Sequence, residues 1–307
     1  MKATTILKST LRLSLLVSVV AACMAQSKPA GIPTAQDESR GIIPEKFVNA
    51  RPKRSGPVKR AHVAYKKVAA ESGMTEFAKT IDSRSAQIGL TVWRLRKSIS
   101  SDGAARILEQ EEAAEWTPIR VEASTPLAAG DRVRLSIESS REGYLYVIDR
   151  EQYEDGSLGQ PLLIFPTTRT RGGDNRLKPG RLIDIPAQDD RPSYFRLKTN
   201  RAEHVAELIT ILVTKEPIVG LTIGSERLIL SKELLAKWKN SWSRKSEHFE
   251  LEGGQGKTWT KEEQLAAADA TRELTQEDAP PQTVFRIANA PGTSIMVSVP
   301  LRILRKE

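Results

Sequence analysis

The chain has 307 residues, 39% of them hydrophobic and 5% aromatic, with a formal charge of +9 and one cysteine. A single cysteine rules out an intramolecular disulfide, so the core alone must hold the fold, and this length permits such a core. The charge is localised in Lys2, Lys8 and Arg12 and in a stretch from Lys28 to Lys67, where ten basic residues face only Asp37, Glu38 and Glu45; the remainder, with 34 basic and 35 acidic residues, excludes a uniformly basic body of the kind that tracks nucleic acid.

The first element is an apolar run from Leu13 to Ala22, preceded by the three basic residues and ending at Cys23. A positive flank before a short greasy segment is the pattern of a secretory signal peptide. The run is about ten residues, and a membrane-spanning helix needs roughly 20. The sequence therefore predicts a signal peptide over residues 1–25 and an exported protein, periplasmic or anchored to the membrane by lipid. Val20-Ala21-Ala22-Cys23 resembles a bacterial lipobox, which makes Cys23 the candidate lipid attachment. The alternative is ordinary cleavage after Ala25.

Residues 26–86 follow, basic and rich in proline (Pro29, Pro33, Pro44, Pro52, Pro57), with few large apolar side chains. Such composition cannot bury enough surface to offset its ordering entropy. The expectation is a flexible or disordered tail, with a weak helix near 63–78. It is either a soluble spacer or an electrostatic contact with an anionic membrane surface. Nucleic acid is not an expected partner, because the tail lacks aromatics that stack on bases.

From Gln87 the pattern turns to period two, the signature of strands. Strands are predicted at 88–95, 119–123, 132–138, 143–149, 162–165, 182–185, 194–197, 205–214, 283–287 and 295–304. In 132–138, Val133, Leu135 and Ile137 alternate with Arg134, Ser136 and Glu138. That reads as one buried face and one face toward water. Ser140-Arg141-Glu142 has the length of a hairpin connection between 132–138 and 143–149. The last strand is expected to complete the sheet system that begins near Ile88.

Helices are few. One is predicted over Ser101–Glu115 with Asp102 near its start. A second, Ser231–Trp242, places Leu234, Trp238 and Trp242 four apart on one face, a stripe read as core anchoring or else a partner groove. A third opens at the capping box Thr260-Lys261-Glu262-Glu263 and is expected to run to about Leu274. The predicted fold is mainly β: an antiparallel β-sandwich over 87–304 with a helical excursion at 225–278 and closing strands at 283–304.

The ordered series Gly130-Asp131-Arg132-Val133-Arg134-Leu135-Ser136, Gly143-Tyr144-Leu145-Tyr146-Val147-Ile148-Asp149 and Leu163-Ile164-Phe165-Pro166 resembles a bacterial family, domain of unknown function (DUF) 4384. The similarity continues through Asn175, Pro179-Gly180, Ile183-Asp184-Ile185-Pro186 and Pro217-Ile218, so its core spans 117–218. The flanks resemble a full-length exported subgroup, through Gly89–Leu95 and Pro280–Arg286. The resemblance implies an accessory, sensing or binding module. It brings no catalytic residues, because the family has none assigned.

No cofactor or metal is expected from the motifs. Gly253-Gly254-Gln255-Gly256-Lys257-Thr258 is half of a phosphate-binding loop, with Leu251 where glycine is required and no buried strand expected before it. His62, His204 and His248 form no two-histidine metal pattern, and a serine triad through His204 is a remote alternative. Asp149, Glu151, Glu154 and Asp155 cluster at a predicted turn with Tyr153. Paired carboxylates about 5–9 Å apart serve acid–base work on glycosides; the plainer reading is a solvated turn. Tyr144 and Tyr146 share one strand face, either open to a ligand or packed. The candidate ligand surface is thus Tyr144, Tyr146, Asp149, Tyr153 and Asp155. The expected function is non-catalytic recognition of a protein or envelope polymer, with an envelope hydrolase using 149–155, or a structural spacer, as the alternatives.

Overall fold

The structure, a computed structural model, describes residues 47–54, 63–68, 85–109, 114–199, 201–269, 271–288 and 292–304. The predicted signal peptide and Cys23 lie outside the described residues. The strands are β1 (Tyr65–Val68), β2 (Ala86–Lys97), β3 (Ile107–Glu109), β4 (Ala114–Val121), β5 (Leu127–Ala128), β6 (Arg132–Ser139), β7 (Gly143–Asp149), β8 (Glu151–Tyr153) and β9 (Leu162–Phe165). They continue with β10 (Arg176–Leu177), β11 (Ile183–Ile185), β12 (Phe195–Arg196), β13 (His204–Thr214), β14 (Leu228–Ile229), β15 (Ser246–Leu251), β16 (Thr283–Ile287) and β17 (Ile295–Leu304).

Two sheets face each other. The first has the order β1-β15-β16-β2-β4-β3, and β6 joins β2 while also carrying β11 and β12. The second has the order β14-β9-β7-β13-β17-β5, with β10 on β7 and β8 on β13. Every strand pairing among the described residues is antiparallel except β17 with β5. The long strand β2 is the spine. One edge pairs with β6, and the other is shared by β16 and β4.

Alternation places Ile88, Leu90 and Val92 of β2 and Val133, Leu135 and Ile137 of β6 in one core. Facing them are Val147 of β7, Ile209, Ile211 and Val213 of β13 and Val297 and Val299 of β17. Each such side chain contributes roughly 1.5–3 kcal/mol on full burial, which is how a sandwich stands without disulfides.

The mainly β sandwich is as expected, but its connections differ. Ser140–Glu142 is not a hairpin: β6 lies in the first sheet and β7 in the second, so the link is an arch between sheets. At its end, a Cβ on Gly143 would stand 2.6 Å from the Thr214 carbonyl oxygen, so β7 starts hard against β13. The last strand, β17, lies in the sheet facing β2 rather than beside it. The helix expected over Ser101–Glu115 is a 3-10 turn at Ser100–Ala105 followed by β3 and the start of β4. Asp102 takes two hydrogen bonds from Arg96, at 2.6 and 2.8 Å, and others from Thr117 Oγ1 and the Ile99 N–H. Those bonds tie the turn to β2 and β4, and Gly103 at φ 55° breaks the helical path. The capping-box helix begins as predicted, with Thr260 and Glu263 bonded reciprocally, but runs only over Lys261–Ala268. Asp269 Oδ1 then accepts the Thr271 N–H and hydroxyl, a local turn that competes with helix.

The second sheet's outer face is covered by the Lys232–Trp242 helix, capped by Ser231. Its Leu235 and Trp238 pack on Tyr146, Ile148, Leu163, Leu212 and Met296.

The first sheet's outer face is also covered, contrary to expectation. Arg134, Ser136 and Glu138 are 0%, 2% and 1% exposed. Register sets Arg134, Trp93 and Arg120 in a row across β6, β2 and β4. Arg120 lies over the Trp93 ring at 5.2 Å and Arg134 over Trp259 at 5.4 Å. Arg120 pairs with Glu263 and donates to the Pro280 carbonyl at 2.8 Å. Ser136 accepts from Trp93 Nε1 at 2.6 Å and donates to Asp184. Buried polar groups persist only when partnered in this way.

Part of this cover comes from the segment expected to be a flexible tail. Residues 47–50 make a helical turn, Phe47 and Tyr65 are each 1% exposed, and β1 extends the first sheet beside β15. Residues 65–68 are therefore strand rather than the weak helix expected there. Arg51 donates to both Glu138 carboxylate oxygens at 2.7 Å and to the carbonyls of Thr275, Asp278 and Ala279. Gln276 donates in return to the Asn49 and Arg51 carbonyls. Average composition hides these anchors: Phe47, Arg51 and Tyr65 are single residues spread over a basic, proline-rich stretch. The described parts, 47–54 and 63–68, belong to the domain.

Gly89 stands opposite Glu138 and makes the notch this strap enters. A Cβ there would meet Pro281 Cγ at 2.6 Å and Phe47 Cζ at 2.9 Å. Gly89→Ala is expected to cost about 1–3 kcal/mol, because neither ring can retreat from a packed layer. Thermal unfolding checks this; an unchanged melting temperature would mean the strap yields freely.

Candidate functional site

Of the candidate ligand surface, Tyr144 and Tyr146 are taken up by packing. They share a face, as expected, but that face lies under the 218–242 segment. Tyr146 is 3% exposed and its hydroxyl accepts the Ile218 N–H at 2.8 Å. Tyr144 is partly buried in the same cluster. The Trp238–Trp242 stripe also serves that cluster, the two rings stacked at 5.7 Å.

The glycine segment is preceded by a strand after all: β15 is paired on both sides, with Phe249 and Glu250 fully buried. It is still no phosphate cradle. The Gly256 N–H bonds the Arg120 carbonyl, the Lys257 N–H bonds the Gly254 carbonyl, and the Arg120 N–H bonds the Lys257 carbonyl. Amides needed for phosphate are thus used to pin the turn to β4, and the next helix starts only at Lys261.

Tyr153 and Asp155 are brought together at one end of the second sheet. The turn after β8 closes through Gly156 N–H to the Tyr153 carbonyl, with Gly156 at φ 80°. The Ser157 N–H bonds Asp155 Oδ1 at 2.8 Å, and bonds from Ser157 hold the Asp155 carboxyl below its ordinary range. The Glu154 N–H bonds the Glu203 carbonyl, which joins this turn to the approach to β13. Tyr153, Glu154, Asp155, Ser157, Arg201 and Glu203 line a cavity of about 400 Å³. Tyr153 donates its hydroxyl to Glu151, and Arg201 lies over the Tyr153 ring at 5.3 Å.

Asp149 finds a partner that the sequence did not reveal. Its carboxyl lies near enough to that of Glu207 on β13 for the two charges to interact. Glu207 in turn stands directly opposite Glu151 in the strand register. Burial pushes Asp149 up to about 6. Burial, then the Asp149 and Glu151 charges, pushes Glu207 up to about 9. Among the described residues no donor reaches Asp149 Oδ1 or Glu207 Oε2, both buried. Ionising one of two interacting buried carboxyls makes ionising the other costlier. The signal for Glu207 was an acid interrupting the apolar run of 205–214, on the same face as the core residue Leu301.

This geometry bears on chemistry. A glycosidic bond is worked by carboxyls about 5–9 Å apart. The two raised carboxyls, Asp149 and Glu207, do not line the cavity beside Tyr153. His204 is 2% exposed, its Nε2 bonds the Ala206 carbonyl at 3.0 Å, and no hydroxyl among the described residues bonds either ring nitrogen. Among the described residues, no group of three or more His, Cys, Asp or Glu could hold a metal ion, and no helix is long and apolar enough to cross a membrane.

Comparison with known proteins places the chain in no class: no family model, curated protein or solved structure matches it. The likeness of 117–218 to the DUF 4384 family is therefore carried by the motifs alone.

Proposed function

We propose that the protein is a non-catalytic binding module of the bacterial cell envelope, exported and held in the periplasm or by lipid at Cys23. It recognises a protein or envelope polymer. The export pattern before Cys23 and the accessory character implied by the DUF 4384 resemblance support the setting. The observation that carries the reading is the roughly 400 Å³ cavity between Tyr153–Ser157 and Arg201–Glu203. It opens at the loop end of a sandwich whose outer sheet faces carry buried residues under covering segments. The hydrolase alternative is weakened because the raised carboxyls, Asp149 and Glu207, do not line that cavity. A spacer has no need of a cavity lined by four charged residues and a tyrosine. The basic stretch supports membrane contact less than its composition implied, since Arg51, Lys66 and Lys67 pair with Glu138, Glu122 and Glu247.

The test is capture of envelope components on the mature wild-type chain and on a Glu203→Lys chain. A partner held by the first and lost from the second is the expected result. Equal capture by both chains would remove the cavity from the reading. Mass spectrometry of the same wild-type sample reports fatty acid on Cys23.

A further inference from the structure

We infer that the Lys232–Trp242 helix and the turn at Val219 dock on the anionic headgroups of a lipid bilayer, through a surface separate from the cavity beside Tyr153. Both elements lie over one apolar cluster on the outer face of the second sheet. The helix places Leu235 and Trp238 in that cluster, so Lys232, Ala236, Lys237, Lys239, Asn240 and Ser241 are exposed on its other side. Ile218 and Leu221 pack on the same cluster, and between them Val219 stands 97% exposed at the tip of a turn. Leu212, beneath this layer, lies toward the end of β13 away from the cavity residues Arg201 and Glu203.

Residues 231–245 hold five cations, Lys232, Lys237, Lys239, Arg244 and Lys245, against one carboxylate, Glu233. The chain after Lys67 as a whole has 34 basic and 35 acidic residues, so this excess is local. Exposed cations elsewhere are drawn into ion pairs: Lys66 with Glu122, Arg169 with Glu226, Lys178 with Glu273. Among the described residues Lys232, Lys237 and Lys239 pair with none, although Glu233 stands one turn before Lys237. Lys232 also occupies the first turn, where the helix dipole disfavours a cation. Nothing in the described fold pairs these charges, and an anionic surface complements them. A bilayer suits the shape better than an acidic protein does. The outer side of the helix is a convex row with short side chains, Ala236, Asn240 and Ser241, between the cations. Headgroups accept cations in any register, and the acyl boundary beneath them accepts an aliphatic tip such as Val219. Trp242, stacked on Trp238 and only partly buried, is of the side-chain type that favours headgroup depth.

The probe is vesicles of equal parts phosphatidylcholine and phosphatidylglycerol, sedimented with the mature chain, with pure phosphatidylcholine vesicles as control. Lys232→Gln/Lys237→Gln/Lys239→Gln is expected to weaken binding about a hundredfold, at roughly fivefold per charge. Val219→Ser is expected to weaken it about threefold to tenfold, and by the same factor at high salt, because that contact is apolar. All four positions are exposed or half-exposed to water in the fold, and thermal melts establish that each variant is folded. The stretch before Phe47 is basic too, so Lys28→Gln/Arg40→Gln/Lys46→Gln is the matched control and should cost clearly less than the helix variant. Helix-variant binding equal to wild type, an equal loss in the matched control, or equal binding to pure phosphatidylcholine would overturn the proposal. Vesicle binding kept by the helix variant while it loses an acidic protein from envelope capture would give the face to that protein instead, and likewise overturn it. Vesicle binding lost in the helix variant, with envelope capture equal for wild type and Glu203→Lys, would leave this proposal standing and remove only the cavity.

Discussion

Arg51→Ala is expected to destabilise the domain by about 3–5 kcal/mol in chemical denaturation. The substitution leaves Glu138 charged and sealed under the strap, and it strips three carbonyls of their donor. Breaking one partner of a buried pair costs far more than the pair itself contributes. Arg54→Ala is the control: Arg54 is exposed three positions away and should cost about 0.5 kcal/mol or less. Glu138→Ala should be severe as well, and the double variant far less than the sum of the singles, because each side chain's cost is mostly the other left alone. Equal denaturation midpoints for Arg51→Ala and Arg54→Ala would return residues 47–54 to the status of a tail.

Stability is expected to fall as pH rises from 5 to 9, and Glu207→Gln is expected to flatten that fall. Asp149 and Glu207 are held up to about 6 and about 9, chiefly by burial, whereas in an unfolded chain both release their protons near pH 4. A carboxyl raised on folding binds its proton more tightly in the native state. Its contribution is complete below the unfolded value and is lost as pH climbs through the folded one. The loss should amount to roughly 2–4 kcal/mol across the window, discounted for the partial exposure of Glu207. Glutamine keeps a neutral partner for Asp149 and cannot ionise. Denaturation midpoints of the two chains at pH 5, 7 and 9 decide the matter, and the difference between them cancels every other titrating group. Parallel profiles would show that the two charges do not interact.

Both effects depend on residues whose significance was invisible along the chain. Period two shows that Arg134, Ser136 and Glu138 point opposite to Val133, Leu135 and Ile137, and they do. It cannot show what lies beyond that opposite face. The cover over β6 comes from residues near 50, 190 and 260–280, so its charges become buried only through distant contacts. The individual strands were legible because alternation is local: the closing pair, 283–287 and 295–304, matches β16 and β17 at both ends. The helix at 231–242 was equally clear, since its cap and its aromatic stripe sit within one element. Connections were less so. A three-residue link serves a hairpin or an arch equally well, and the choice between them at 140–142 is made by which sheet receives β7.

The candidate site divides the same way. Tyr153 and Asp155 share a turn and could be found from sequence neighbours. Glu203, Arg201 and Glu207 reach them only because β13 folds back along β8. Tyr144 and Tyr146 share one face as alternation said, yet their cover arrives some 70 residues later, and no pattern within 143–149 announces it. His204 was noticed for a triad, whereas its Nε2 bonds the Ala206 carbonyl and its ring packs beside Tyr153.

The position of β17 has a consequence for how the protein comes into being. This strand separates β13 from β5 and supplies Ile295, Val297, Val299 and Leu301 to the interior. Until those residues leave the ribosome, β13 has a bare edge and the core lacks one wall of apolar side chains. The second sheet therefore cannot be completed until residues far downstream of β13 are available, and such distant pairings are slow to form.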